Sequence, residues 1–96
     1  MGQDMQDERL DPLAEKIISM LVYEETFVNL LEDLRGFNEY AIADELKQLI
    51  AKDFVRPCRD VENDKKSGVM YDSDRMASYS FTLTGKGLSY LENFLA

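Results

Sequence analysis

Two apolar stripes of helical spacing, separated by a short turn, constrain this chain more than any other feature. Residues Thr26 to Val55 read TFVNLLEDLRGFNEYAIADELKQLIAKDFV. Phe27, Leu30, Leu31 and Leu34 fall on one face of a helix. Ile42, Leu46, Leu49 and Ile50 do the same on a second, expected from about Glu39 to Lys52. Between them stands Gly36-Phe37-Asn38. Glycine supplies a left-handed helix end and Asn38 a cap for the next helix, so the two helices are expected to meet at a tight turn. Glu32, Asp33 and Arg35 point away from the first stripe.

The rest of the chain builds around this pair. Residues 1–10 are polar and acidic and are expected to form a flexible tail, with one domain over residues 11–96. Asp11-Pro12 is a helix-start signal, because Asp accepts from unpaired N–H groups and Pro suits the first helical position. The helix it starts is expected to run to about Tyr23. Leu13, Ile17, Met20 and Leu21 form one stripe, widened by Leu10, Ala14, Ile18 and Val22. A face this broad can serve two neighbours, one of them another protomer.

After Lys52 the period changes. Phe54 to Val61 reads as a strand, with Pro57 pointing to an edge position. Glu62 to Met76 is polar, with turn chemistry at Asn63-Asp64, Ser67-Gly68 and Asp72-Ser73-Asp74. Ser78 to Leu83 alternates, with Tyr79, Phe81 and Leu83 on one face and Ser80 and Thr82 on the other. The two strands are expected to pair as a hairpin. Thr84 then caps a closing helix with Leu88, Leu91 and Leu95 inward. Tyr90 and Phe94 form a second small stripe, read with equal weight as core or as a dimer contact with the first helix.

Helix, two helices about a tight turn, hairpin, helix is an α+β order. It resembles the winged helix-turn-helix superfamily, with three helices, a two-stranded β-hairpin wing and a C-terminal helix. Leu46 to Val55 resembles the end of a recognition helix running into the first wing strand. Such families often have glycine where Asp53 stands, so the turn departs from their pattern. Tyr79-Ser80-Phe81-Thr82-Leu83-Thr84-Gly85-Lys86-Gly87-Leu88 resembles the second wing strand and the L-T-x-x-G start of the closing helix, as in PadR- and MarR-like transcriptional regulators. The resemblance covers about residues 11–95. It implies a dimeric regulator that contacts double-stranded DNA through the third helix and the wing.

By this resemblance the groove-facing positions are Asn38, Glu39, Tyr40, Ala41, Ala43, Asp44 and Lys47. Base and phosphate contacts favour Arg, Lys, Asn and Gln, which only Asn38 and Lys47 satisfy. Glu39 and Asp44 carry the wrong sign. The wing supplies the cations Arg56, Arg59, Lys65, Lys66 and Arg75, diluted by Asp60, Glu62, Asp64, Asp72 and Asp74. The 96 residues carry a formal net charge of −8, the wrong sign for a grip on phosphates. Met1 to Phe54 holds thirteen acidic and five basic residues, and the remainder six of each. Two readings therefore stand side by side. One is a regulator that binds DNA through Asn38, Tyr40, Lys47, Arg56, Arg59, Lys65, Lys66 and Arg75, as a homodimer through its first and last helices (Tyr90, Phe94). The other is an acidic protein–protein interaction module for a basic partner. Fold precedent favours the first and local electrostatics the second, and the precedent puts the DNA-binding regulator first with the interaction module as its alternative.

No enzyme is expected. There is no His, no phosphate-cradling glycine loop and no Ser or Cys nucleophile motif. No cofactor or metal motif occurs either. Asp60, Glu62 and Asp64 begin like a calcium loop, but Lys65 and Tyr71 stand where Gly and Glu are required. Cys58, the only cysteine, is read as a small strand residue in preference to a redox thiol activated by Arg56 and Arg59. A lone thiol, a polar start without signal-peptide character and short apolar runs lead to the expectation of a cytoplasmic protein with no membrane contact. Gly2 is not expected to be myristoylated, because Gln6 replaces the required hydroxyl residue.

Overall fold

A computed structural model describes residues 9–60 and 73–95. The chain is α+β, with four helices and a three-stranded antiparallel sheet. In order these are α1 (Pro12–Met20), β1 (Glu25–Thr26), α2 (Phe27–Asp33), α3 (Glu39–Ala51), β2 (Val55–Asp60), β3 (Tyr79–Leu83) and α4 (Gly85–Tyr90). A 3₁₀ turn, Ser73–Ser78, leads into β3, and a π turn, Leu91–Leu95, extends α4. Strand order is β1-β3-β2, so Pro57 does lie on an edge strand.

Each helix start is where local chemistry puts it. Asp11 accepts from the Ala14 N–H at 2.9 Å, Thr26 from Asn29 at 3.1 Å and Thr84 from Gly87 at 3.1 Å. Asn38 Oδ1 accepts from both Tyr40 and Ala41. Each bond satisfies a donor that the first helical turn leaves unpaired.

The helix ends differ from expectation. α1 stops at Met20 rather than Tyr23. The Leu21 carbonyl, instead of continuing the helix, accepts from Leu83 N at 3.1 Å and Thr82 Oγ1 at 3.2 Å on β3. The chain then runs along β3, pairing Glu25 with Phe81 and Thr26 with Ser80. The expected two-stranded hairpin is thus a three-stranded sheet. Only two residues make the extra strand, too few for alternation to reveal it.

The turn glycine also differs. Gly36 is not left-handed, and α2 closes at Leu34, whose N–H donates to the Leu30 carbonyl. The left-handed residue is Asp53, at φ 69°, between α3 and β2. This is the position where the resemblance leads one to expect glycine. Asp tolerates the conformation better than most residues do. Its carbonyl accepts from Thr84 Oγ1 at 2.5 Å, which fastens the turn to the start of α4.

The core draws on every element. Ala14, Ile17 and Ile18 of α1 and Leu21 just after it are fully buried, all on the broad stripe expected there. They meet Phe27, Leu30 and Leu34 of α2, Ile42, Leu46 and Leu49 of α3, and Phe54, Val55, Tyr79, Phe81 and Leu83 of the sheet region. Full burial of such a side chain contributes roughly 1.5–3 kcal/mol. Tyr79 and Phe81 meet edge to face, as do Phe54 and Tyr90. The polar stretch ending at Met76 also contributes, since Met76 itself is buried.

The closing helix keeps part of the expected register, with Leu91 and Leu95 half-buried against the core. Leu88, expected inward, is exposed, while Gly87 and Tyr90 are buried. The cause is close approach: a Cβ on Gly87 would lie 2.2 Å from the Phe54 carbonyl oxygen. Only glycine lets α4 lie against that backbone, and this contact sets which face of the helix points inward.

Candidate functional site

Burial of Ile42, Leu46 and Leu49 turns the other side of α3 outward. Tyr40, Asp44, Lys47 and Ala51, four, three and four residues apart, form one exposed stripe. Tyr40 is 81% exposed, and Phe37, in the turn before it, is also exposed. Asn38 is present at the helix start, but its side-chain oxygen is occupied by capping. Asp44 accepts from Gln48 Nε2 at 3.2 Å, along the same helix. Lys47 is exposed.

The wing cations disperse. Arg56 is exposed on β2. Arg75 lies in the 3₁₀ turn and donates to Ser78 Oγ at 3.3 Å. The backbone of Arg59 pairs with Ser80 across a bulge that follows Pro57. Lys65 and Lys66 lie outside the described residues, as do the calcium-loop positions Glu62 and Asp64.

Glu45, at the inner border of α3, is half-buried against Asp11. Its carboxyl is raised above the ordinary range, first by burial and then by the charge of Asp11. The surface of α2 adds exposed Glu32 and Asp33, with Arg35 just beyond.

Tyr90 and Phe94 separate. Tyr90 belongs to the core of its own chain. Its hydroxyl donates to Glu15 Oε2 at 2.6 Å and accepts from the Leu10 N–H at 2.8 Å. Burial, then the bond to Glu15, raises the Tyr90 hydroxyl above its ordinary value. Phe94 stacks at a tilt on Tyr90, with centroids 4.6 Å apart, and remains 40% exposed. Arg9 bonds Glu15 through Nε at 2.8 Å and lies over the Phe94 ring at 5.1 Å. Arg9 and Leu10 are therefore tied to the domain, although residues 1–10 read as a tail. Arg9 and then Tyr90 hold the Glu15 carboxyl below the usual carboxylate range. Sequence reasoning missed this clasp, since its partners lie 75 and 80 residues apart.

A second missed group surrounds β3. Ser80 is 2% exposed, donates to the Glu24 carboxylate and lies 3.5 Å from Cys58 Sγ. Glu24 reads from the sequence as solvated surface, yet it satisfies a buried hydroxyl. The Cys58 thiol is pushed up, chiefly by burial, so Arg56 does not activate it. Ser80 is covered because β3 is the central strand, a property invisible before pairing is known.

Among the described residues there is no ligand-sized cavity and no cluster of metal-ligating side chains. No helix among them is long and apolar enough to cross a membrane. No family model, curated protein or solved structure matches the chain.

Proposed function

We propose that this chain is a winged-helix interaction module that binds a basic protein partner. The order α1, β1, α2, α3, β2, β3, α4 supports the winged-helix part of the reading, since β1 joins the wing strands in one sheet. The observation that carries the partner chemistry is the charge on the exposed sides of α2 and α3. Glu32, Asp33, Glu39 and Asp44 are all exposed there, against Arg35 and Lys47. Phosphates approaching this side meet carboxylates, and the one groove-suited amide, Asn38, already accepts two backbone bonds. Exposed Tyr40 and Phe37 add the aromatic area that protein interfaces favour.

A DNA-binding regulator, working as a dimer through α3 and the wing, is the second reading. Exposed Lys47 and Arg56 favour it. A mobility-shift titration at low salt with random duplex, beside binding of a lysine- and arginine-rich polypeptide, separates the two. The protein-binding reading expects the polypeptide to bind and the duplex to remain unshifted. A salt-dependent shift of duplex without polypeptide binding overturns it. Sedimentation over a concentration series tests the dimer.

A further inference from the structure

We infer that Arg9 is a removable occupant of a guanidinium site formed by Glu15, Tyr90 and Phe94, and that an arginine of the basic protein partner takes its place. This rests on the protein-binding reading and adds a contact on the α1–α4 side. Arg9 meets Glu15 as a fork, with Nε 2.8 Å from Oε2 and Nη2 3.3 Å from Oε1. Its guanidinium also stands 5.1 Å from the centre of the Phe94 ring. A planar cation bonds a carboxylate at two points and covers a ring at once, which an ammonium does not reproduce.

The site does not need Arg9 to keep its shape. Tyr90 Oη donates to Glu15 Oε2 at 2.6 Å, which orients the carboxylate. Tyr90 is itself buried and meets Phe54 edge to face at 5.6 Å. Phe94 stacks on Tyr90 with centroids 4.6 Å apart. Groups already fixed lose little freedom when a ligand arrives. The occupant is held more loosely. Arg9 and Leu10 precede the cap Asp11 and lie outside every helix and strand. Among the described residues no backbone–backbone bond holds either, and the Leu10 N–H reaches a side chain, Tyr90 Oη, at 2.8 Å. The Arg9 side chain is 51% exposed, against 18% for Glu15. Exposed ion pairs are weak and screened by salt, so this two-residue strap lifts at lower cost than the fold opens. When it lifts, Glu15 keeps its bond from Tyr90. A tethered arginine competes at roughly millimolar effective concentration, so only a partner that makes further contacts displaces it.

The test uses the full chain, with amide hydrogen exchange and NMR chemical shifts as readouts. In Arg9→Ala the Leu10 N–H is expected to exchange about tenfold faster or more, while the Ile17 and Leu46 amides keep their parent rates. N-ethylguanidinium added to that variant is expected to shift the Phe94 ring resonances, and ethylammonium to bind about threefold more weakly or worse. Adding Glu15→Gln should remove the guanidinium response, with the circular dichroism spectrum retained. In the parent, the lysine- and arginine-rich polypeptide should speed Leu10 exchange and shift Phe94. If Leu10, Ile17 and Leu46 all accelerate together in Arg9→Ala, Arg9 is part of the fold and the proposal falls. Equal responses to the two small cations overturn it as well. If the polypeptide binds but leaves Leu10 and Phe94 unchanged, the site is wrong and the protein-binding reading stands. If the polypeptide fails to bind while N-ethylguanidinium does, the cation site stands and its assignment to a protein partner falls with that reading.

Discussion

Tyr90 and Tyr40 are the same residue type on two sides of one small domain, with opposite fates. On the α1–α4 side, Tyr90 is sealed in the core, its hydroxyl bonded to Glu15 and to the backbone of Leu10. Arg9 closes over Phe94 beside it. On the α2–α3 side, Tyr40, Phe37, Tyr23 and Val28 face solvent, as do the carboxylates of Glu32, Asp33, Glu39 and Asp44. One side spends its aromatic and acidic residues on holding the chain together, and the other leaves them outward. In a small domain each buried side chain matters to stability, so the closed side carries the fold while the open side contributes little to it.

The contrast breaks or sharpens under substitution. The largest effect is expected from Gly87→Ala on the closed side. Its Cβ would meet the Phe54 carbonyl oxygen, so α4 must move, at a cost of about 3 kcal/mol or more in urea denaturation. On the open side, Gly36→Ala meets nothing within 4 Å and needs no left-handed backbone. It should raise stability by about 0.5 kcal/mol through the unfolded state. Equal losses at the two glycines would erase the distinction.

Tyr90→Phe comes next. It leaves the Leu10 N–H unpaired and removes one bond from Glu15, which keeps Arg9, and should destabilise by about 1–2 kcal/mol. Tyr40→Phe should change stability by less than about 0.5 kcal/mol. Asp53→Gly, which relieves the left-handed backbone at φ 69°, should stabilise by about 0.5 kcal/mol in the same assay.

Smallest is the pH dependence, and its two carboxyls have opposite signs. The Glu15 carboxyl is lowered in the folded chain, so its contribution is present above the unfolded value and lost as pH falls through the folded one. The Glu45 carboxyl is raised, so the folded chain holds its proton more tightly. Stability is therefore gained as pH falls through its folded value towards the ordinary one. Glu45→Gln should flatten the stability curve just above the ordinary carboxylate range and raise neutral stability. Glu15→Gln should flatten it below that range and lower neutral stability. Denaturation midpoints measured through both windows check the signs.

Much of this was legible along the chain. Asp11, Thr26, Asn38 and Thr84 cap the helices they precede, because a cap needs only the next three residues. Pro57 marked an edge strand, because proline cannot donate to a ladder. The acidic character of α2 and α3 was equally plain. The clasp of Arg9, Glu15 and Tyr90 was not, nor was the group around Ser80. Their partners meet only after the two chain ends and the two outer strands converge.

The sequence by itself determined where helices start, which faces of α2 and α3 turn inward and the sign of the charge outside. All of these depend on residues within a turn or two of one another. Tertiary structure alone decided that α1 ends early to feed β3, that Gly87 rather than Leu88 faces inward, and that Tyr90 is buried while Tyr23 and Tyr40 are not. In each case a backbone group of one element, the Leu21 carbonyl, the Phe54 carbonyl or the Leu10 N–H, meets a distant one at bonding or contact distance. Such short-range contacts between distant segments leave no period in the sequence.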